Sequence, residues 1–355
     1  MLRGVAILFV MLFHVPGKVA APEYLLSFIK LNGFQVGVEL FFVISGFVIT
    51  NSLMRMRALS RRKCISRQDW LLFWKKRGHR LLPAFIFWVF VGLLFMPIIG
   101  VSEVGVGVNA LFSLYGLLGV YNIVDAYCGA FDLFGTSCPE LEITRVYWSL
   151  SLEAQFYAVL SLSLLFVGIR RFLVYSAVLF TIFLCIFAYS IWAQDFLYVA
   201  YSVLIRSCGL FFGCLIALQS SIGQLIFLQK VPGIVKFLFV SSGIVIIPVL
   251  GGYGGLASTL VVSIVCYMIV TLSISGNVLS RYAVSKWLIW VGERSYSIYL
   301  SHVIILYLIG ELTYLLFGTN YALLIEFIGF IVVFLVVLAV GHLSYIRIEK
   351  PFFLT

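Results

Sequence analysis

Long apolar runs alternate with short polar breaks along this chain, and the runs have the length of a bilayer rather than the rhythm of an amphipathic surface helix. A hydrocarbon core is crossed by about 20 helical residues. On that measure the pattern predicts about ten spans, at 1–17, 34–53, 81–99, 148–169, 172–190, 206–219, 235–251, 255–273, 287–309 and 322–343. The first and sixth are short, and 105–124 is apolar enough to re-enter the membrane or lie at its interface. The first run, Val5 to Val15, is read as a span rather than a signal peptide, because no clear small-residue cleavage pattern closes it and Lys18 follows. Ala20-Ala21 keeps the cleaved alternative open. The expected fold class is all-α: one polytopic transmembrane domain over residues 1–355, since only internally hydrogen-bonded helices or closed barrels cross lipid.

Composition fixes the solvent. Of 355 residues, 63% are hydrophobic and only 11% charged, more apolar surface than a soluble domain could hide. Charge then orients the spans. An even number starting inside places 54–80 in the cytoplasm. That segment holds ten of the 24 basic residues: Arg55, Arg57, Arg61, Arg62, Lys63, Arg67, Lys75, Lys76, Arg77 and Arg80. Arg170, Arg171, Lys230, Arg281, Lys286, Arg347 and Lys350 fall on the same side, while Glu23, Glu103, Asp125, Asp132, Glu140, Glu142 and Asp195 fall opposite. Both termini are therefore expected in the cytoplasm. The net charge of +10 reads as a topology signal, not a nucleic-acid footprint, because the basic residues flank spans.

The seven cysteines add little. Cys128 and Cys138 share the long outward loop and could pair or stay free; Cys64 is expected reduced, and Cys185, Cys208, Cys214 and Cys266 read as packing residues. No His/Cys/acid spacing suggests a metal.

Ionisable residues inside the spans are the candidate chemistry. Arg3 and His14 lie eleven residues apart on the first span, within roughly 20° of one helix face and about 16 Å apart along its axis. Glu39, in the outer half of the antiparallel second span, lies at the depth of His14. A carboxylate on one imidazole nitrogen would leave the other to take a proton, as a general base requires. The plain alternative is a buried His–Glu hydrogen bond with no further task. Gly33, Gly37 and Gly46 permit close helix approach in either case. Arg77 and Arg80, three apart beside Pro83 at the start of the third span, share a face at the inner surface. With Arg3 they would suit a multiply phosphorylated molecule, although lipid head groups explain them too. His79 is expected to point elsewhere. Glu153 sits five residues past Trp148, inside the outer half, and needs a partner; Tyr147 and Trp148 read as interfacial aromatics. Ser295, Tyr299 and His302 fall on one face, as a polar cavity or as helix–helix hydrogen bonding. Glu293 and Arg294 lie deeper.

The segments LRG followed by His14, GVELFFVISGFVIT, RGHRLLPA, WSLSLEAQFY, GERSYSIYLSH and the terminal IEKPF are together specific. In them the chain resembles the acyltransferase-3 family of integral membrane O-acyltransferases, which modify bacterial surface glycans. The resemblance runs over essentially the whole chain and implies a ten-helix core with both ends inside. It implies that the Arg3–His14 pair is required, with His14 as the favoured catalytic residue and Glu39, commonly Asp elsewhere, as its companion. It implicates Arg77 and Arg80 in donor binding. Two departures stand out: family members usually carry a short stretch with an acidic residue ahead of the LRG, where this sequence has only Met1, and the fourth-span motif usually has two consecutive acids, where this chain has Glu153 followed by Ala154. With no hydrolase-like extracytoplasmic domain in these residues, the core is expected to complete the transfer or pass it to a partner.

The resulting expectation is an enzyme of the bacterial cytoplasmic (inner) membrane, modifying lipopolysaccharide, exopolysaccharide or another exported glycan. An acyl group, acetyl first, would move from cytoplasmic acyl-CoA held at Arg3, Arg77 and Arg80 to a glycan hydroxyl activated by His14 and Glu39. Glu153, Ser295, Tyr299 and His302 would support the polar site, with no metal and no nucleic acid. The offset between Arg3 and His14 matches the reach of an extended pantetheine arm. The rival is a transporter of a glycan or lipid-linked intermediate, whose buried ionisable groups would relay protons.

Overall fold

The structure is a computed structural model describing residues 1–19, 21–59, 66–96, 106–131, 142–166, 206–275, 283–318 and 323–353, with a few helical positions between 171 and 178. Every described element is helical. In chain order these are α1 (Leu2–Phe13), α2 (Glu23–Leu31), α3 (Gly37–Leu59), α4 (Arg67–Phe95), α5 (Val106–Leu117), α6 (Tyr121–Phe131), α7 (Glu142–Arg145) and α8 (Tyr147–Phe166). Then follow α9 (Cys208–Ser221), α10 (Ile226–Gln229), α11 (Gly233–Gly252), α12 (Gly255–Ile274), α13 (Ala283–Glu293), α14 (Ser295–Phe317) and α15 (Leu323–Ser344). A π-helical turn at Tyr345–Glu349 and a 3-10 turn at Lys350–Phe352 follow α15.

Seven helical stretches among the described residues are long and apolar enough to cross a membrane, and α1, α5 and α9 are shorter apolar helices. The chain is an all-α, multi-pass membrane protein. Large side chains such as Phe90 and Val245 remain exposed on the outside of the bundle, where lipid rather than water is their solvent. The expected span 172–190 lies almost wholly outside the described residues, as do Cys64, Cys138 and Cys185. Cys128 is disulfide-bonded, and Cys208, Cys214 and Cys266 are free and buried.

Glycines set the closest crossings. A Cβ on Gly46 of α3 would strike the Leu210 carbonyl of α9, and one on Gly213 would strike the Val43 carbonyl in return. Gly37 meets Ala6 of α1 in the same way, and Gly4 of α1 meets Leu288 of α13. Backbones at this distance gain dense van der Waals contact that any side chain would forbid. The result wedges α1 among α3, α13 and α14, with Arg3 at one end and His14 at the other.

The structure corrects three expectations. The helix that carries the third span starts well before residue 81. Ser66 caps α4, accepting from the Asp69 amide at 3.1 Å and donating to the Asp69 carboxylate at 2.6 Å, so the helix starts at Arg67 and carries the basic run with it. Pro83 then falls in the helix interior rather than its first turn. The run 287–309 is not one helix either. It breaks at Arg294, whose side chain donates to the Trp290 carbonyl at 2.8 Å and to His342 Nδ1 at 2.7 Å, leaving α13 and α14 as separate elements. Finally, Tyr147 is a core residue, packed edge-on to Phe85 and Tyr121, and not an interfacial aromatic.

Candidate active site

Two polar clusters lie along α1. At its C-terminal end, His14 Nδ1 is 2.9 Å from the Val10 carbonyl oxygen and 3.3 Å from His302 Nε2. His302 is fully buried, and its Nδ1 lies 2.6 Å from the Tyr299 carbonyl oxygen. Carbonyl oxygens only accept, so both Nδ1 atoms carry hydrogen. His302 Nε2 is then the acceptor, and His14 Nδ1–H is shared between it and Val10. This chain of bonds puts the lone pair of the His14 ring on Nε2, the tautomer a general base needs. The rings meet edge to face, with centroids 4.9 Å apart. Tyr299 supports the pair from below: its hydroxyl donates to the Val146 carbonyl at 2.9 Å and lies 2.6 Å from Ser149 Oγ on α8.

The sequence placed Glu39 beside His14, and the structure places His302 there. Among the described residues no hydrogen bond links Glu39 to His14. Glu39 is buried in the first turn of α3 with Oε2 unpartnered, and the nearby charge is that of Arg206. The Arg206 guanidinium lies over the Trp148 ring at 4.3 Å, and its charge also reaches Tyr299. Arg206 therefore joins Glu39 electrostatically to the histidine end.

The opposite cluster gathers the expected arginines. Arg3 lies within electrostatic reach of Glu153, Arg80, Arg77 and Glu349. The α1, α4 and α8 helices supply four of these five charged groups, and the fifth comes from the turn after α15. Arg77 stacks over Tyr157 at 4.1 Å, and Arg80 over Phe353 at 5.3 Å. The Nε atoms of Arg77 and Arg80 are both buried without a hydrogen-bond partner. Buried donors of this kind need an acceptor, and an oxyanion supplies several. His79, by contrast, is exposed and turned back on the Lys75 carbonyl at 3.0 Å. Glu153 serves this basic cluster and also acts on Tyr299, so it lies between the two ends. Ser295 is buried at the start of α14. Since Tyr296 and Ser297 bond near the arginines and His302 near His14, α14 runs alongside α1 in the same sense.

The profile of the acyltransferase-3 family, described as an acyltransferase domain, matches residues 1–343. The chain belongs to the acyltransferase-3 family. Among curated proteins, this acyltransferase-3 chain is similar to the O-acetyltransferase OatA of Staphylococcus aureus, at 24% identity over 374 residues, covering 99% of this chain and 56% of that protein. It is 26% identical over 307 residues to the peptidoglycan O-acetyltransferase OatA of Listeria monocytogenes, covering 80% of this chain and 47% of that one. The putative peptidoglycan O-acetyltransferase YrhL of Bacillus subtilis is 27% identical over 334 residues, covering 85% and 47%. The chain thus spans about half the length of the curated relatives it matches. No solved structure matches it at a significant level.

Several residues of the two clusters were not singled out by the sequence. Ser149, Tyr296 and Ser297 look like ordinary span polarity, and Arg206 like a loop cation. Glu349 did carry a signal: it is the acid of the IEKPF segment that follows α15.

Proposed function

We propose that this acyltransferase-3 chain is an O-acyltransferase of the bacterial cytoplasmic membrane. It moves an acetyl or similar acyl group from cytoplasmic acyl-CoA to a hydroxyl of an exported glycan at the outer face. The observation carrying this reading is the Nδ1-protonated His14, held by Val10 and His302 at one end of α1 while three arginines converge at the other. The phosphates of CoA sit against Arg3, Arg77 and Arg80, and the buried Nε of Arg77 has no hydrogen-bond partner among the described residues. The pantetheine arm then runs along α1, over the eleven residues and about 16 Å that separate Arg3 from His14.

At the histidine end, His14 Nε2 takes the proton of the acceptor hydroxyl as its oxygen attacks the thioester carbonyl. The C–S bond breaks, and the proton passes to the departing thiolate, giving an ester and free CoA thiol. His302 Nε2 accepts from His14 Nδ1 throughout and stabilises the imidazolium that forms. Tyr299 and Ser149 hold that pair in place, and Glu153 links the two ends. Glu39 supports the site through Arg206 rather than by a direct bond to His14. About ten spans with both termini in the cytoplasm, as the basic residues indicate, give each cluster the side this chemistry requires. The peptidoglycan relatives favour a cell-wall glycan among the possible acceptors.

The test is acetyl transfer by the purified chain in proteoliposomes supplied with labelled acetyl-CoA and a soluble chitin oligomer. Base-labile label on the oligomer, lost in His14→Ala at equal protein abundance, is the expected result. Translocation of a glycan without acetylation, with unmodified precursor accumulating in a deletion strain, would instead favour the transporter reading.

A further inference from the structure

The fold brings the IEKPF segment directly to the arginine cluster. Glu349 is fully buried at the end of the π-helical turn. Its Oε2 accepts from Ser297 Oγ at 2.8 Å, which fixes the carboxylate to α14. Its Oε1 lies 3.7 Å from Arg80 Nε, and both atoms are buried without a hydrogen bond. Phe353, four residues further on, covers a face of the same guanidinium at 5.3 Å.

We propose that Glu349 is a positioning residue for the donor's phosphates. It holds Arg80 and Arg3 in one site against their mutual repulsion and aims the outer edge of Arg80 at the ligand. This inference rests on the assignment of Arg3, Arg77 and Arg80 to acyl-CoA.

The geometry decides the sign of the effect. A carboxylate facing the amino edges of Arg80 would compete with phosphate, and its removal would tighten binding. Glu349 instead approaches the Nε side, from a fully buried position, while 40% of the Arg80 side chain stays exposed. The edge that reads a phosphate is not the edge Glu349 faces. Shortening the 3.7 Å gap to a charge-assisted hydrogen bond requires a movement of under about 1 Å, which a phosphate drawing Arg80 into register would produce. Without the carboxylate, the charges of Arg77 and Arg80 act on Arg3 with one fewer opposing anion.

The experiment is calorimetric binding to the purified full chain in nanodiscs, using acetyl-CoA and S-acetyl-pantetheine, which lacks every phosphate. Glu349→Gln should weaken acetyl-CoA about tenfold, the scale of one lost charge-assisted contact, and leave S-acetyl-pantetheine unchanged. Glu349→Asp should recover part of the loss. Unfolding temperature reports whether each variant is intact, and a tenfold loss confined to the phosphorylated donor is not what misfolding produces. Unchanged or tighter acetyl-CoA binding by Glu349→Gln overturns the proposal, and so does equal weakening of both donors. If the wild-type chain binds neither donor, the acyl-CoA reading itself fails, a result distinct from those two.

Discussion

Replacing His302 with Phe separates its orienting role from everything else at the site. Phe keeps the ring volume of a fully buried side chain, so no cavity opens as it would with Ala. It removes the acceptor 3.3 Å from His14 Nδ1 and the donor 2.6 Å from the Tyr299 carbonyl. The Tyr299 carbonyl retains its helical partner, so the cost to folding is about 1 kcal/mol. The cost to catalysis is larger, because the lost bond strengthens as His14 becomes imidazolium. A hydrogen bond to a charged group is worth about 1.5–3 kcal/mol, or roughly 10- to 100-fold in kcat at about 1.4 kcal/mol per decade. Val10 still holds Nδ1–H, which keeps the loss below the roughly 10²- to 10⁴-fold expected when the base itself is removed in His14→Ala. The arginine cluster is untouched, so KM for acetyl-CoA should not move. Thiol release from acetyl-CoA with acceptor present, measured in proteoliposomes across donor concentrations, gives both constants. A His302→Phe enzyme within twofold of wild-type kcat, or one whose defect lies in donor KM, would show that His302 does not orient His14.

Arg77→Lys keeps the charge but loses the planar stack on Tyr157 and the fork geometry, and KM for acetyl-CoA should rise about tenfold with kcat nearly unchanged. Steady-state kinetics with varied donor reads the split. Gly213→Val drives side-chain atoms into the Val43 carbonyl and the α3 backbone, and should destabilise the bundle by about 3 kcal/mol; unfolding temperature by fluorescence-detected chromatography checks it. In a cysteine-free background, Tyr24→Cys should react with an impermeant maleimide from outside intact cells, and Lys76→Cys only after lysis. The opposite pattern would invert the orientation.

The parts of this account that were legible in the sequence are those governed by local periodicity and bulk solvent. Helix spacing alone puts Arg3 and His14 on one stripe, and Arg77 with Arg80 on another. The partner of His14 was not legible, because spans adjacent in sequence need not supply the contact at a given depth. The helix that reaches His14 is α14, nearly 300 residues away, and it runs parallel to α1. Nothing local marks that pairing. The break at Arg294 did have a local signal in Gly292, two residues before it, but the apolar run on either side outweighs one glycine; the Arg294 side chain at the break engages the Trp290 carbonyl and His342. The early start of α4 was in principle readable, since Ser66 and Asp69 form a capping pair at the right spacing. Hydropathy drew attention instead to the apolar half that follows.

In the proposed reaction one chain carries an acyl group from a donor on one side of the membrane to a hydroxyl on the other, with His14 as the base. The direct measurement uses sealed proteoliposomes of uniform orientation, with radiolabelled acetyl-CoA on the arginine side and a chitin oligomer only on the histidine side. Base-labile label is expected on the oligomer for the wild-type chain and none for His14→Ala. Label appearing equally with His14→Ala, or only when donor and oligomer share one compartment, would contradict it.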